Sequence, residues 1–190
     1  MIKWINKNMN CPVCKIVELV KREIEPNLLA FACEKCRGRW ISQPDYQNWL
    51  NSHEDLPEVL PKKLKMNIPE FELVRLCPEC RRILVKYRVG HNIPFSLDRC
   101  GTCAGVWLEK NEWEVLKRRN LHDDLQKIFT DHWQEEVKRG ETRNQLAKLY
   151  ENKFGKDDYA KILRFKDWME NHEKEDEIIA YLRDPNPLQF

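Results

Sequence analysis

The residues whose spacing most directly implies chemistry are the eight cysteines, which fall into four C-x-x-C pairs with none left over. Cys77 and Cys80 are followed, after nineteen residues, by Cys100 and Cys103. Upstream, Cys11 and Cys14 are followed, after eighteen, by Cys33 and Cys36. Each pair can form a tight knuckle presenting two thiolates on one side, and a hairpin between knuckles closes a tetrahedral shell of four sulfurs. The predicted metal is zinc, two ions in all. Four protein ligands leave no open position for water or substrate, so both sites read as structural. The competing chemistry is redox: disulfides or a catalytic dithiol. That reading wants one C-x-x-C at a helix start after a strand in a βαβ setting, whereas four pairs here keep a ribbon rhythm.

Other reactive side chains do not converge. His122, Asp123, Asp124, His132 and Glu136 could suggest a further metal centre. Residues 122 and 132, however, are about 80° apart around a helix of 3.6 residues per turn. His132 and Glu136 share a helix face, which is the ordinary setting of a solvated i,i+4 pair. No serine–histidine–acid set stands out, and the six glycines are scattered, so no phosphate-cradling loop is predicted. Trp40 and Trp107 could stack on bases, but in a ribbon this small they are expected to pack on their own hairpins. Arg37, Arg39, Arg81, Arg82, Lys86 and Arg88 either contact phosphate or offset the anionic zinc sites. The aromatic residues Trp133 and Trp168 are expected in a core.

The elements that must position these groups follow in order. Ile16–Val20 reads as a strand, Glu25-Pro26-Asn27 as a turn, and Leu28–Ala32 as a returning strand. A short helical pattern, Asp45 to Leu50, places Tyr46, Trp49 and Leu50 on one face. Adding 67 carries Cys33, Cys36, Gly38, Trp40, Asp45 and Tyr46 onto Cys100, Cys103, Gly105, Trp107, Glu112 and Trp113, which is an internal repeat. Between the copies, residues 51–70 hold Pro57, Pro61, Pro69 and a basic Lys62-Lys63-Leu64-Lys65, an irregular linker. Phe71–Leu76 reads as a strand. A helix capped by Asn111 follows. Leu121, Leu125, Ile128, Phe129 and Val137 then keep helical spacing as far as Gly140. Thr142 opens a segment with Leu146, Leu149, Tyr150 and Phe154 in one stripe. Asp157 or Asp158 caps another, with Tyr159, Ile162, Leu163, Trp168 and Met169 inward. Ile178, Ile179, Tyr181 and Leu182 form a last helix that Pro185 and Pro187 end.

Composition narrows the function classes. Of the 190 residues 34% are charged, and no apolar run reaches the roughly 18 residues of a membrane span. No export signal is evident at Met1–Lys7, and paired cysteines without export favour a reducing cytoplasm. The formal charge of +2 counts cysteines as neutral. Each zinc with four thiolates contributes about −2, so the zinc-loaded protein comes to about −2. That is not the strongly basic balance of a dedicated nucleic-acid binder.

The run from Cys77 to Trp113 resembles the transcription factor IIB-type zinc ribbon. Cys77, Pro78, Cys80, Asp98, Cys100, Cys103, Gly105, Trp107, Leu108, Glu109 and Glu112 match its pattern. Asn111 stands where the family usually has Gly, and Trp113 where it has Leu. The first copy is more divergent, with Ile41-Ser42 replacing the Leu-acidic step. The resemblance covers residues 10–50 and 76–117 and implies bound zinc. It carries no function for residues 121–190, and the family name records a ribbon rather than a role in transcription.

The expected architecture is two tandem zinc-ribbon β-hairpin modules plus an all-α C-terminal domain. Ribbon 1 is assigned to residues 1–50, the linker to 51–70, ribbon 2 to 71–120, helices to 121–184 and a tail to 185–190, with Leu188-Gln189-Phe190 suited to an apolar groove. The expected function is a non-catalytic interaction or adaptor protein that binds a protein partner, with no small-molecule substrate and no membrane. The alternative is an RNA-binding or transcription-associated zinc-ribbon protein.

Overall fold

The structure, a computed structural model, describes residues 9–52, 74–90, 93 and 95–185. The linker expected at 51–70 lies almost wholly outside these residues, as do Phe71–Leu73 and the last five residues. The chain divides into two compact units, Met1–Lys138 and Arg139–Phe190.

In the first unit, β1 (Val20–Glu25) turns at Pro26-Asn27 into β2 (Leu28–Ala32), which pairs with β3 (Arg39–Ile41) ahead of α1 (Gln43–Ser52). Asn27 takes a left-handed φ of 67°, the conformation an asparagine tolerates after proline in a tight turn. The strand expected at Ile16–Val20 starts later, at Val20. The knuckle claims the earlier residues: the Cys11 N–H donates to the Val17 carbonyl at 2.8 Å, and the Ile16 N–H to that of Cys14 at 2.7 Å. The second copy repeats the order with β4 (Leu84–Arg88), β5 (Ser96–Cys100), β6 (Val106–Leu108) and α2 (Glu112–Arg118), and α3 (Leu125–Ile128) follows.

The two ribbons are one sheet. The strand order is β1-β2-β3-β6-β5-β4, and the short strands β3 and β6 pair antiparallel at its centre. Their register sets Trp40 opposite Trp107, with Arg39 opposite Leu108 and Ile41 opposite Val106. Trp40 and Trp107 are equivalent positions of the repeat. An antiparallel pair that joins equivalents has a local two-fold axis between them, the isologous geometry of a symmetric dimer built within one chain. Each three-residue strand would otherwise be an exposed edge, and each protects the other.

The repeat's glycines follow from this symmetry. A Cβ on Gly38 would stand 2.1 Å from Cζ2 of Trp107, and one on Gly105 2.2 Å from Cζ2 of Trp40. Each indole therefore lies on the other ribbon's glycine as well as beside its own hairpin, where Trp40 stands opposite Phe31 and Trp107 opposite Asp98. Gly38→Ala or Gly105→Ala must displace a fully buried indole, an overpacking cost of about 1–3 kcal/mol or more. Gly101→Ala, with nothing within 4 Å of its Cβ, serves as control. Denaturant midpoints should fall for the first two variants and stay near wild type for the third.

Strand alternation gives the sheet two buried faces. One carries Trp40, Trp107, Leu19 and Leu84 together with the cysteines. The other packs Leu28, Ile41, Leu97, Val106 and Leu108 under Tyr46 and Trp49 of α1, Trp113 and Leu116 of α2, and Leu125 and Ile128 of α3. Residues 121–138, assigned from sequence to the helical domain, belong to this unit. The Tyr46 hydroxyl donates to the His122 carbonyl at 2.8 Å and accepts from the Leu125 N–H at 3.2 Å. His122 is buried with its ring 5.7 Å from Trp49 and 5.9 Å from Trp113. Trp133, half-buried, donates to the Val89 carbonyl at 3.0 Å. The Gln134 amide closes the end of edge strand β4, accepting from the Arg88 N–H at 3.1 Å and donating to its carbonyl at 2.9 Å.

Helix α4 (Asp131–Phe154) runs into the second unit, where α5 (Lys156–Glu170) and α6 (Glu175–Arg183) follow. Gly140 does not end a helix and Thr142 does not begin one. A single interior glycine costs about 1 kcal/mol, which the strong helix formers around it absorb. Gly155, not Asp157 or Asp158, stands at the start of α5. The residues expected inward from Leu146 onward are not: among the described residues of this unit no side chain is buried, and Trp168 is 49% exposed. No described helix is long and apolar enough to cross a membrane.

Candidate metal centre

Four knuckles share one local construction. In each C-x-x-C the residue after the second cysteine takes a left-handed φ: Lys15 at 67°, Arg37 at 62°, Arg81 at 63° and Ala104 at 58°. That residue's N–H returns to the carbonyl of the first cysteine, as Arg37 does to Cys33 at 2.8 Å and Ala104 to Cys100 at 3.0 Å. A left-handed L-residue costs about 1–2 kcal/mol, so closing the turn around the sulfurs offsets real strain four times over.

The turns bring Cys11, Cys14, Cys33 and Cys36 into one group and Cys77, Cys80, Cys100 and Cys103 into another, each with its sulfurs within 4.8 Å of one another. Individual separations are 3.5 Å for Cys11–Cys36, 3.8 Å for Cys33–Cys14, 3.6 Å for Cys77–Cys103 and 3.4 Å for Cys80–Cys100. A tetrahedron with zinc–sulfur bonds of about 2.3 Å has sulfur edges of about 3.8 Å. The cavity fits zinc, and the eight free thiols are too far apart for disulfides. The first cysteine of every pair is buried and the second is half-buried. Backbone N–H groups also reach the sulfurs, Cys14 to Cys11 Sγ at 3.3 Å, Gly38 to Cys36 Sγ at 3.4 Å and Cys80 to Cys77 Sγ at 3.4 Å. Bound zinc supplies cross-linking charge and no open coordination position.

Metal-free, these thiols hold their protons unevenly. Burial pushes Cys77 up to about 12 against the N–H groups of Cys80 and Glu79, and Cys103 rises for the same first reason. Cys36 rises through its contact with the Cys11 thiol, then burial. At Cys100 burial acts upward too, but the Cys103 and Thr102 N–H groups bring it down to about 7. Zinc must therefore displace the protons that Cys36, Cys77 and Cys103 still hold at neutral pH, and lowering the pH must weaken binding. Titrating the metal-free protein with zinc in weak buffer at pH 7 should release several protons per ion, and chelator competition should show affinity falling with acidification.

Two capping devices support the sites. In the second ribbon Glu112, buried at the start of α2, accepts from the Glu109 N–H at 2.7 Å. In the first, Ser42 and Asp45 stand at the equivalent positions, and the Asp45 N–H donates to Ser42 Oγ at 3.2 Å. Asn111 has φ 71° and makes no side-chain cap, contrary to the expectation; its role is the left-handed turn itself, which the family's usual Gly would also supply. Trp113 faces the other ribbon: its Nε1 donates to Glu25 at 3.1 Å, where Lys117 also binds at 2.8 Å. Arg39 crosses likewise to Glu114 at 2.8 Å.

Sequence reading missed Arg75. It is 5% exposed and pairs with both Asp98 and Glu109, so one guanidinium joins the arm before Cys77 to the strands flanking Cys100 and Cys103. Burial works against this guanidinium's charge, but the two carboxylates outweigh it and raise its pKa. Nothing in its spacing marks Arg75 apart from other arginines; only the family's acidic position at Asp98 hinted that a cation was needed.

The fold and the closed sulfur sets define a protein with two structural zinc ribbons, each closed by four cysteines. Residues 10–52 and 76–119 each match the transcription factor zinc-finger family, the TFIIB-type zinc ribbon, so both halves of the repeat are ribbons of that type. The region after residue 119 has no family match. No curated protein and no solved structure matches the chain.

Proposed function

We propose that the protein is a non-catalytic, zinc-stabilised adaptor that works in a reducing compartment and binds a protein partner through the knuckle tips of its ribbons. The observation that carries this is Ile16, which is 87% exposed on a knuckle pinned by a closed metal site, beside exposed Lys15. In the other ribbon the position of Ile16 holds exposed Arg82, flanked by exposed Arg81 and by Ile83, 61% exposed. A rigid tip offering an aliphatic side chain among cations loses little entropy on docking, and apolar residues with arginine are what interface centres favour. Arg39 drops out of the candidate surface because it pairs with Glu114.

Nucleic acid is the alternative ligand for the same cations, but phosphate contact gives no use to Ile16. The test changes Ile16, Arg37 and Arg81 singly to Glu, confirms two zinc ions in each, and measures partner recovery from host extract. Recovery should fall at least about tenfold for Ile16→Glu. Undiminished recovery for all three removes the tips from the interface. Tight RNA or DNA binding that weakens with salt at a log–log slope near −0.9 per contact on duplex DNA would establish the alternative.

A further inference from the structure

The second unit cannot cover its own apolar surface. Ten large apolar side chains between Leu146 and Leu182 are 41–59% exposed. Together they leave on the order of 1,000 Å² per chain open to water, spread over the three helices. On α4 the stripe is Leu146, Leu149, Tyr150 and Phe154, at i, i+3, i+4 and i+8, with Tyr150 and Phe154 stacked at 5.7 Å. On α6 it is Ile178, Ile179, Tyr181 and Leu182.

Connection lengths decide what can reach the α4 stripe. Only Gly155, at φ 82°, separates α4 from α5. Folding two helices back on each other takes a loop of about 2–5 residues, so α5 of the same chain cannot turn over onto α4. The four residues 171–174 between α5 and α6 do permit a turn there. Short hinges of the first kind are the setting in which an element is supplied by another copy.

Charge identifies the occupant. Residues 139–154 of α4 carry Arg139, Arg143, Lys148 and Lys153 against Glu141 and Glu151; α6 carries Glu175, Asp176 and Glu177 against Arg183. At 100° per residue Arg143 and Lys153 fall on the side of the α4 stripe, and Glu175 on that of α6. One face is apolar with a basic content, the other apolar with an acidic content, and both belong to every chain. We infer that two copies of this chain pair through the second unit, α6 of each laid antiparallel on the α4 stripe of the other. A two-fold axis uses each face once per copy, and the six exposed side chains on α4 and α6 leave roughly 600 Å² per chain, about 1,200 Å² for the pair, which reaches the lower end of a specific interface.

The test uses the full-length, zinc-loaded protein. Sedimentation velocity between about 0.1 and 50 µM should show a dimer. Leu149→Asp and Leu182→Asp should each raise its dissociation constant at least about tenfold with two zinc ions retained. Arg143→Glu with Lys153→Glu should weaken it too, and adding Glu175→Lys should restore part of it. A dimer indifferent to these changes, or reversal without restoration, overturns the pairing of α6 with α4. A monomer at 50 µM also overturns it; sedimentation of that monomer with phosphatidylcholine vesicles would give the surface to lipid, and failure to sediment would give it to a different protein.

Discussion

Cys100→Ser is expected to leave the protein with clearly less than one zinc ion per chain, not with one. Independent ribbons would lose a single site. Here the buried cysteines of both sites, Cys11, Cys33, Cys77 and Cys100, share one cluster with Trp40 and Trp107, and the central pairing β3–β6 joins the halves. Structural zinc in small peptides supplies on the order of 10–16 kcal/mol of folding free energy. A ribbon hairpin buries too little to fold without it. Melting the second ribbon withdraws the partner of β3, uncovers Trp40, and removes the α2 acceptor Glu114 from Arg39. The first site then binds zinc from a partly unfolded state, and its affinity should drop at least about tenfold. Elemental analysis after dialysis and chelator competition read this directly. A variant holding one tightly bound zinc would mean that the ribbons fold separately. A strong chelator applied to the wild type should abolish the sheet together with the helix signal of α1–α3, which pack on it, and leave that of α4–α6 largely in place.

Arg75→Met should cost about 3–5 kcal/mol, the scale for breaking a buried ion pair from one side. The loss lies in what remains: Asp98 and Glu109 keep their charges without the buried guanidinium that bridged them, and Glu112 is also buried. For a chain of this size that is a fall in Tm on the order of 10 °C. Burial already raises Glu112 well above its ordinary value, and it raises Glu109 too, with the Arg75 charge opposing in each case. Removing the guanidinium must lift both further. A carboxyl whose folded pKa lies above its unfolded one is favoured by protonation, so its penalty is full above the folded value and shrinks as pH falls through it. The gap between wild type and variant should therefore narrow as the pH is lowered. Asp98→Asn with Glu109→Gln, added to Arg75→Met, should recover much of the stability, since neutral amides are cheaper to bury than unpaired charges. A Tm unchanged by Arg75→Met would show that Arg75 does not hold the second ribbon together.

Both metal sites were legible residue by residue in the amino-acid sequence, and so was the hairpin Leu28–Ala32 with its turn at Pro26-Asn27. Ligand type, a two-residue gap and a hairpin-sized separation are local quantities, and zinc tolerates no other geometry for four thiolates. The repeat was legible too, including Gly38 with Gly105 and Trp40 with Trp107. What these residues are for was not. A tryptophan packed on its own hairpin alone and one that also covers its counterpart's glycine carry the same sequence signature, because the difference lies in which short strand pairs with which. The same holds for Arg75, whose partners are 23 and 34 residues away. In the helical region, periodicity marked the apolar stripes on α4, α5 and α6 but not whether anything covers them. Amphipathicity states that a face must be buried; only the tertiary structure, with its one-residue link at Gly155, decided that α5 does not turn back over the α4 stripe.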